Sequence, residues 1–171
     1  MSFTLTNVYA QNRDAAKDLK EADRLYKNKD YYSAIVLYKF HSSVLKPEER
    51  FIYAYCLVHK SSYTQDDVTE SINQLKMASS RGYTPAMVAL YDTYIANKLV
   101  PQDRSQAVTY ISRAADYEDS VGLFIYGSLL NAGDYISRDT VKAYRLLVKS
   151  AEQKYYNALY TLGYMHYTGS K

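Results

Sequence analysis

The stretch Ala107-x-x-Tyr110-Ile111-x-Arg113-Ala114-Ala115 returns 36 residues later as Ala143-x-x-Leu146-Leu147-x-Lys149-Ser150-Ala151, with no insertion between the copies. Small, large, basic and small positions stay in register. The same step carries Gly127 onto Gly163, Gly133 onto Gly169, Asp103 onto Asp139, and Ala86 onto Gly122 and then Ala158. One step toward the N-terminus pairs Asp103 with Asp67, Leu90 with Ala54, Tyr91 with Tyr55, and Ala114 with Ala78. Self-similarity at such a period marks a chain built of stacked supersecondary units, none of which can bury its apolar face alone. The repeat begins near residue 50 and runs to the end.

Each unit reads as two helices. Ala86, Ala89, Leu90 and Tyr94 have helical spacing, Lys98 to Pro101 interrupts it, and Asp103 precedes a second run of Ala107, Ile111, Ala114 and Ala115. Asp67, Asp103 and Asp139 share one place in the period. A carboxylate there accepts orphan amide N–H groups and opposes the positive helix end, which reads as a helix start rather than a catalytic acid. Gly127, Gly163, Ala78, Ala107, Ala115, Ala143 and Ala151 let paired helices approach, and Tyr91, Tyr126, Leu129, Leu146, Leu147 and Leu162 fill the gaps between them. Before residue 50 the register loosens. Leu19, Ala22, Leu25 and Tyr26, then Asp30-Tyr31-Tyr32-x-Ala34-Ile35-x-x-Tyr38, form a helix pair that Pro47 separates from the next helix.

Composition agrees with helices. The 171 residues include 21 tyrosines, four phenylalanines and no tryptophan, but only six glycines and three prolines, too few for a turn-rich sandwich or a disordered chain. A net charge of +3, with 23% charged and 47% hydrophobic residues, is that of an ordinary soluble protein and excludes an acidic tail or a strongly basic nucleic-acid binder. One cysteine, Cys56, excludes an intramolecular disulfide framework and disfavours a thiolate zinc site. Met1 to Val8 lacks the positive start and apolar core of a signal peptide, and no stretch approaches the ~20 apolar residues that span a bilayer. The expected setting is cytoplasmic.

The segments Ala158-x-x-x-Leu162-Gly163-x-x-x-Tyr167-x-Gly169 and Lys142-Ala143-Tyr144-x-x-x-x-x-Ser150-Ala151 resemble the Sel-one-like repeat (SLR), a slightly longer relative of the tetratricopeptide repeat. The pair at 14–47 resembles a tetratricopeptide unit. Within the SLR pattern, Tyr91 and Tyr55 replace an expected glycine, and Glu118 and Lys154 stand where Gly82 supplies a helix-ending one. The resemblance implies an all-α, right-handed α-solenoid of stacked antiparallel pairs, about nine helices in total. The expected divisions are an N-terminal segment 1–13, a tetratricopeptide-like pair 14–47, and an SLR array 48–171 made of 48–83, 84–119, 120–155 and a half repeat 156–171. It also implies a scaffold or adaptor that binds a partner protein or peptide, or regulates a partner enzyme, with no catalytic residue, metal or cofactor of its own. The half repeat is expected to continue in a longer chain or to pack on a partner.

If the first helices line the concave side, three rows face it: Ile52, Val88, Phe124 and Tyr160; Cys56, Asp92, Ser128 and Tyr164; His59, Ile95, Asn131 and Tyr167. Packing positions repeat because each solves the same steric problem, so these variable rows are the candidates for partner contact. Tyr160, Tyr164 and Tyr167 form one aromatic stripe of a residue favoured at interfaces, and the competing reading packs that stripe on a neighbouring helix or chain. Cys56-x-x-His59 offers only two metal ligands and reads as a buried or groove-lining cysteine. Asp116, Glu118 and Asp119 sit at a turn and read as solvated. Arg13, Lys17, Lys20, Arg24, Lys27 and Lys29 are interleaved with Asp14, Asp18, Glu21 and Asp23, the mixture of a charged outer face rather than of a phosphate-binding patch. No phosphate loop, dinucleotide fingerprint, zinc-protease or serine-hydrolase motif occurs. An enzyme or small-ligand protein with a site in the groove is the alternative reading.

Overall fold

The computed structural model describes residues 3–168, with side chains placed from Ala15 to Tyr167. Among the described residues there are nine helices and no strand. They fall into two units divided between Arg81 and Gly82. Within each, short connections pack successive helices against one another.

The first unit holds α1 (Phe3–Lys27), α2 (Tyr31–Phe40), α3 (Pro47–His59) and α4 (Gln65–Ser80). Its core gathers Leu19 and Ala22 of α1, Ala34 and Tyr38 of α2, Leu45, and Tyr53, Cys56 and Leu57 of α3. Ala22 and Ala34 are fully buried, so no bulk separates α1 from α2 where they face this core. The Tyr38 hydroxyl donates to Asp23 Oδ1 at 2.5 Å, satisfying a buried phenol whose ionisation its burial suppresses. Pro47 opens α3 at its first turn, where a missing N–H costs nothing. The acids along α1 are in use: Glu21 pairs with Arg24 at 2.6 Å, and Asp18 meets His41 Nε2 at 2.9 Å. The side chains of Arg13 and Asp14 lie outside the described residues.

The second unit holds α5 (Thr84–Ala96), α6 (Arg104–Asp116), α7 (Ser120–Ala132), α8 (Thr140–Glu152) and α9 (Tyr156–Thr168), each of 13 residues. First helices start at 84, 120 and 156, and second helices at 104 and 140, so the sequence period is a structural period. The same backbone bond closes both complete pairs. The Asp103 amide donates to the Tyr94 carbonyl and the Asp139 amide to the Leu130 carbonyl, each at 3.0 Å. Asp103 then caps α6 through Gln106 N–H at 3.0 Å, and Asp139 caps α8 through Lys142 N–H at 2.9 Å. Hydrogen bonds from Gln106 hold the Asp103 carboxyl below its ordinary range.

Asp67 differs from these two. α4 begins a turn earlier, with Thr64 as its cap, and Asp67 closes a capping box by accepting from Thr64 N–H at 2.7 Å and from Lys60 Nζ at 2.8 Å. Its carboxyl, raised by burial, is brought below the ordinary range by these bonds. The turn acids are structural as well. Asp119 caps α7 through Val121 and Gly122 N–H and accepts from Thr84 Oγ1, while Glu118 pairs with Lys149.

The helix-ending positions show what the two glycine replacements cost. Gly82, Glu118 and Lys154 all have positive φ (83°, 57° and 63°), so the repeat demands a left-handed residue at each, and only the first is glycine. Lys154→Gly should therefore stabilise the second unit by ~0.5–1 kcal/mol, the left-handed penalty relieved less the entropy glycine adds to the unfolded chain. Urea unfolding followed by far-UV circular dichroism checks the sign.

Candidate protein-interaction face

In the second unit the predicted rows lie on α5, α7 and α9. On α5, Val88 and Ile95 are half-buried and Asp92 is exposed; on α7, Phe124, Ser128 and Asn131 are half-buried. On α9, Tyr160, Tyr164 and Tyr167 are 79%, 61% and 90% exposed. The tyrosine stripe thus stands in solvent, whereas its counterparts one period back are partly covered. Phe124 stacks obliquely with Tyr155, its ring centre 5.2 Å away.

Asp92 adds polarity to this face. Desolvation pushes the carboxyl of Asp92, an exposed residue, above its ordinary range. The Asn131 Oδ1 atom is buried with no hydrogen-bond partner. A buried acceptor without a donor is costly.

In the first unit the rows behave differently. Ile52 is half-buried against the core, Cys56 is fully buried, and His59 is exposed. Cys56 does not reach the surface, because α1 and α2 pack on the side of α3 that carries it; burial pushes its thiol up to about 12. His59 donates from Nδ1 to the Tyr55 carbonyl at 2.8 Å and stacks on the Tyr55 ring at 3.6 Å. Cysteine and histidine are not brought together. Among the described residues no group of three or more His, Cys, Asp or Glu is disposed to hold a metal ion, and no helix is long and apolar enough to cross a membrane.

Tyr55, at the period position where α7 has Gly127, packs edge-on to Tyr26 and Tyr31, with ring centres 5.8 and 6.0 Å away. This ring cluster is invisible to the 36-residue register, since Tyr26 and Tyr31 lie outside the repeat. The repeat placed Gly122 in register but not its close approach to α6, where an added Cβ would come within 2.7 Å of the Ala114 Cβ. The row Ala86, Gly122, Ala158 carries the signal, being small in every copy.

Against this geometry the relatives can be set. Residues 97–116, 120–155 and 157–171 match the Sel1 repeat family. The chain carries Sel1-like repeats. Their second-unit boundaries follow the helix pairs, since the long match, 120–155, runs from the start of α7 to the residue before α9. A Sel1 repeat protein from Oxalobacter formigenes superposes with a TM-score of 0.75 at 21% identity, covering 91% of this chain and 46% of that one. The protective antigen c5321, present in uropathogenic Escherichia coli strains and displaying an SLR fold, gives 0.71 at 22% identity, covering 79% and 29%. Helicobacter pylori cysteine-rich protein B gives 0.56 at 22% identity, covering 84% and 93%. The chain therefore spans about half and under a third of the first two, and the likeness to all three is one of fold. No curated protein matches it. The all-α repeat fold expected from the period is the fold found.

Proposed function

We propose that the protein is a noncatalytic interaction scaffold, working in the cytosol, whose α5, α7 and α9 face holds a segment of a partner protein. Sel1-like repeats generally serve protein interaction. The observation that carries the reading is the exposed stripe of Tyr160, Tyr164 and Tyr167. Tyrosine combines apolar area with a hydroxyl and few rotatable bonds, and such residues dominate the energetics of interfaces. The partner segment that fits supplies apolar side chains for Val88, Ile95 and Phe124, and an N–H or cationic donor for Asp92.

Affinity capture with the wild-type chain and with Tyr160→Ala/Tyr164→Ala tests the reading. Both tyrosines are exposed, so the variant should fold as the wild type does. Recovery of the partner should fall at least about tenfold, the loss of a single modest anchor. Unchanged recovery would remove this face from the proposal.

A further inference from the structure

The first unit carries a cleft of about 450 Å³ between α1 and the turn that leads into α3. That volume is in the range of small-molecule sites. Ala15, Ala16 and Leu19, on one face of α1, form its apolar wall, with Val44 of the turn on the other side. Leu19 belongs to the buried core, so the cleft has a packed apolar floor, while Val44 stands 50% exposed at its rim. The turn itself is pinned. His41 Nε2 meets Asp18 Oδ2 of α1 at 2.9 Å, the Ser42 carbonyl accepts from Arg50 Nη2 at 2.9 Å, and the Leu45 carbonyl accepts from Arg81 Nη1 at 3.4 Å. A ligand entering the cleft finds this wall in place and spends little on ordering it.

Four charged residues also line the cleft: Lys20 and Asp23 of α1, and Lys46 and Glu49 at the start of α3. The two acids already serve the fold. Asp23 Oδ1 accepts from the buried Tyr38 hydroxyl, and Glu49 Oε2 accepts from the Lys46 amide at 2.6 Å. Asp18 and Glu21 of α1 are taken by His41 and Arg24. Among the described residues, neither Lys20 nor Lys46 therefore has a carboxylate within ion-pairing distance. A cation entering here would approach two unpaired ammoniums, and the acids that could offset them are bound to Tyr38 and to the start of α3. An anion with an apolar body meets the complementary arrangement, since charge-assisted hydrogen bonds to the lysines hold one end and the apolar floor takes the other. We propose that this cleft binds a small aliphatic monocarboxylate, its carboxylate held by Lys20 and Lys46 and its chain laid on Ala15, Leu19 and Val44.

Octanoate serves as the probe against the full chain, with amide shifts followed by nitrogen–proton correlation NMR. Saturable shifts centred on residues 15–23 and 44–49, with a Kd below about 1 mM, are expected. Octylammonium and octanol, equal in chain length, should each bind at least about fivefold more weakly, and acetate, which has the charge without the chain, should not saturate. Lys20→Gln/Lys46→Gln should weaken octanoate at least about fivefold and leave octanol unchanged. Ala16→Phe, which fills the cleft from an exposed helix position, should abolish the binding of both. Lys27→Gln, which removes an exposed lysine that does not line the cleft, should change neither. Circular dichroism of each variant confirms its fold. No saturation by octanoate up to about 10 mM, or octylammonium or octanol binding as tightly as octanoate, overturns the proposal. So does undiminished octanoate binding to the lysine double variant, or shifts centred on the tyrosines of α9.

Discussion

Gly122→Ala is expected to destabilise the second unit by about 2–3 kcal/mol, a large effect for one methyl group. The added Cβ would lie 2.7 Å from the Ala114 Cβ and 2.8 Å from both the Ala114 carbonyl carbon and the Ala115 nitrogen. Two of these three atoms are backbone, so no side chain can rotate out of the way and α7 has to move off α6. Helical propensity pulls the opposite way, since alanine in a helix gains ~0.5–1 kcal/mol over glycine, but the clash outweighs it. The three helical glycines form an internal series. Gly127→Ala meets its neighbours at 3.2–3.3 Å and should cost ~1 kcal/mol, while Gly163→Ala meets nothing and should stabilise by ~0.5–1 kcal/mol. Urea denaturation of the three variants checks the order, and a destabilising Gly163→Ala would contradict it.

Arg50→Ala should be the most damaging change in the first unit, costing ~3–5 kcal/mol. Arg50 is 2% exposed. Its Nη1 donates to Gln74 Oε1 at 2.7 Å and its Nη2 to the Ser42 carbonyl at 2.9 Å, so one guanidinium ties the α2–α3 turn to α4. No carboxylate touches it. Gln74 instead relays the charge, donating from Nε2 to Glu70 Oε1 at 2.8 Å. Burial first, and then the charge of Arg81, pulls the Arg50 pKa down, and the Nε atom is buried without a partner. The residue is thus held at some expense, because a buried cation is poorly repaid by neutral acceptors. Arg50→Met, which fills the volume without the charge, should recover about half of the alanine loss. Equal losses for the two would show that the hydrogen bonds, and not the packing, hold the turn.

Much of this was written in the sequence where one steric problem is solved repeatedly. Asp103 and Asp139 could be read because each makes the same backbone bond and the same cap in its own copy, and Ala107 and Ala143 because both are fully buried. Legibility failed where a neighbour from outside the period intervened. α1 and α2 cover the side of α3 that carries Cys56, so a row expected to face a partner points into the core there. Thr64 starts α4 early, which turns Asp67 from a cap into the far half of a capping box. Glu118 and Lys154 break the glycine pattern without breaking the turn, since the backbone geometry persists and the residue bears the strain. Gly163 matches Gly127 in sequence and not in surroundings, since an added Cβ meets neighbours at 3.2–3.3 Å at Gly127 and nothing within 4 Å at Gly163.

The central claim is that partners are held on the first-helix face of the second unit. Photo-crosslinking from single substituted positions tests it most directly, with a photoreactive phenylalanine analogue placed at Phe124 or Tyr160 and, as controls, at Thr109 or Arg145. The controls are exposed positions one period apart on the second helices α6 and α8. Crosslinks to one and the same partner from 124 and 160, with none from 109 and 145, are the predicted result. Crosslinks from 109 and 145 with none from 124 and 160 would contradict the account and move the interface to the second helices.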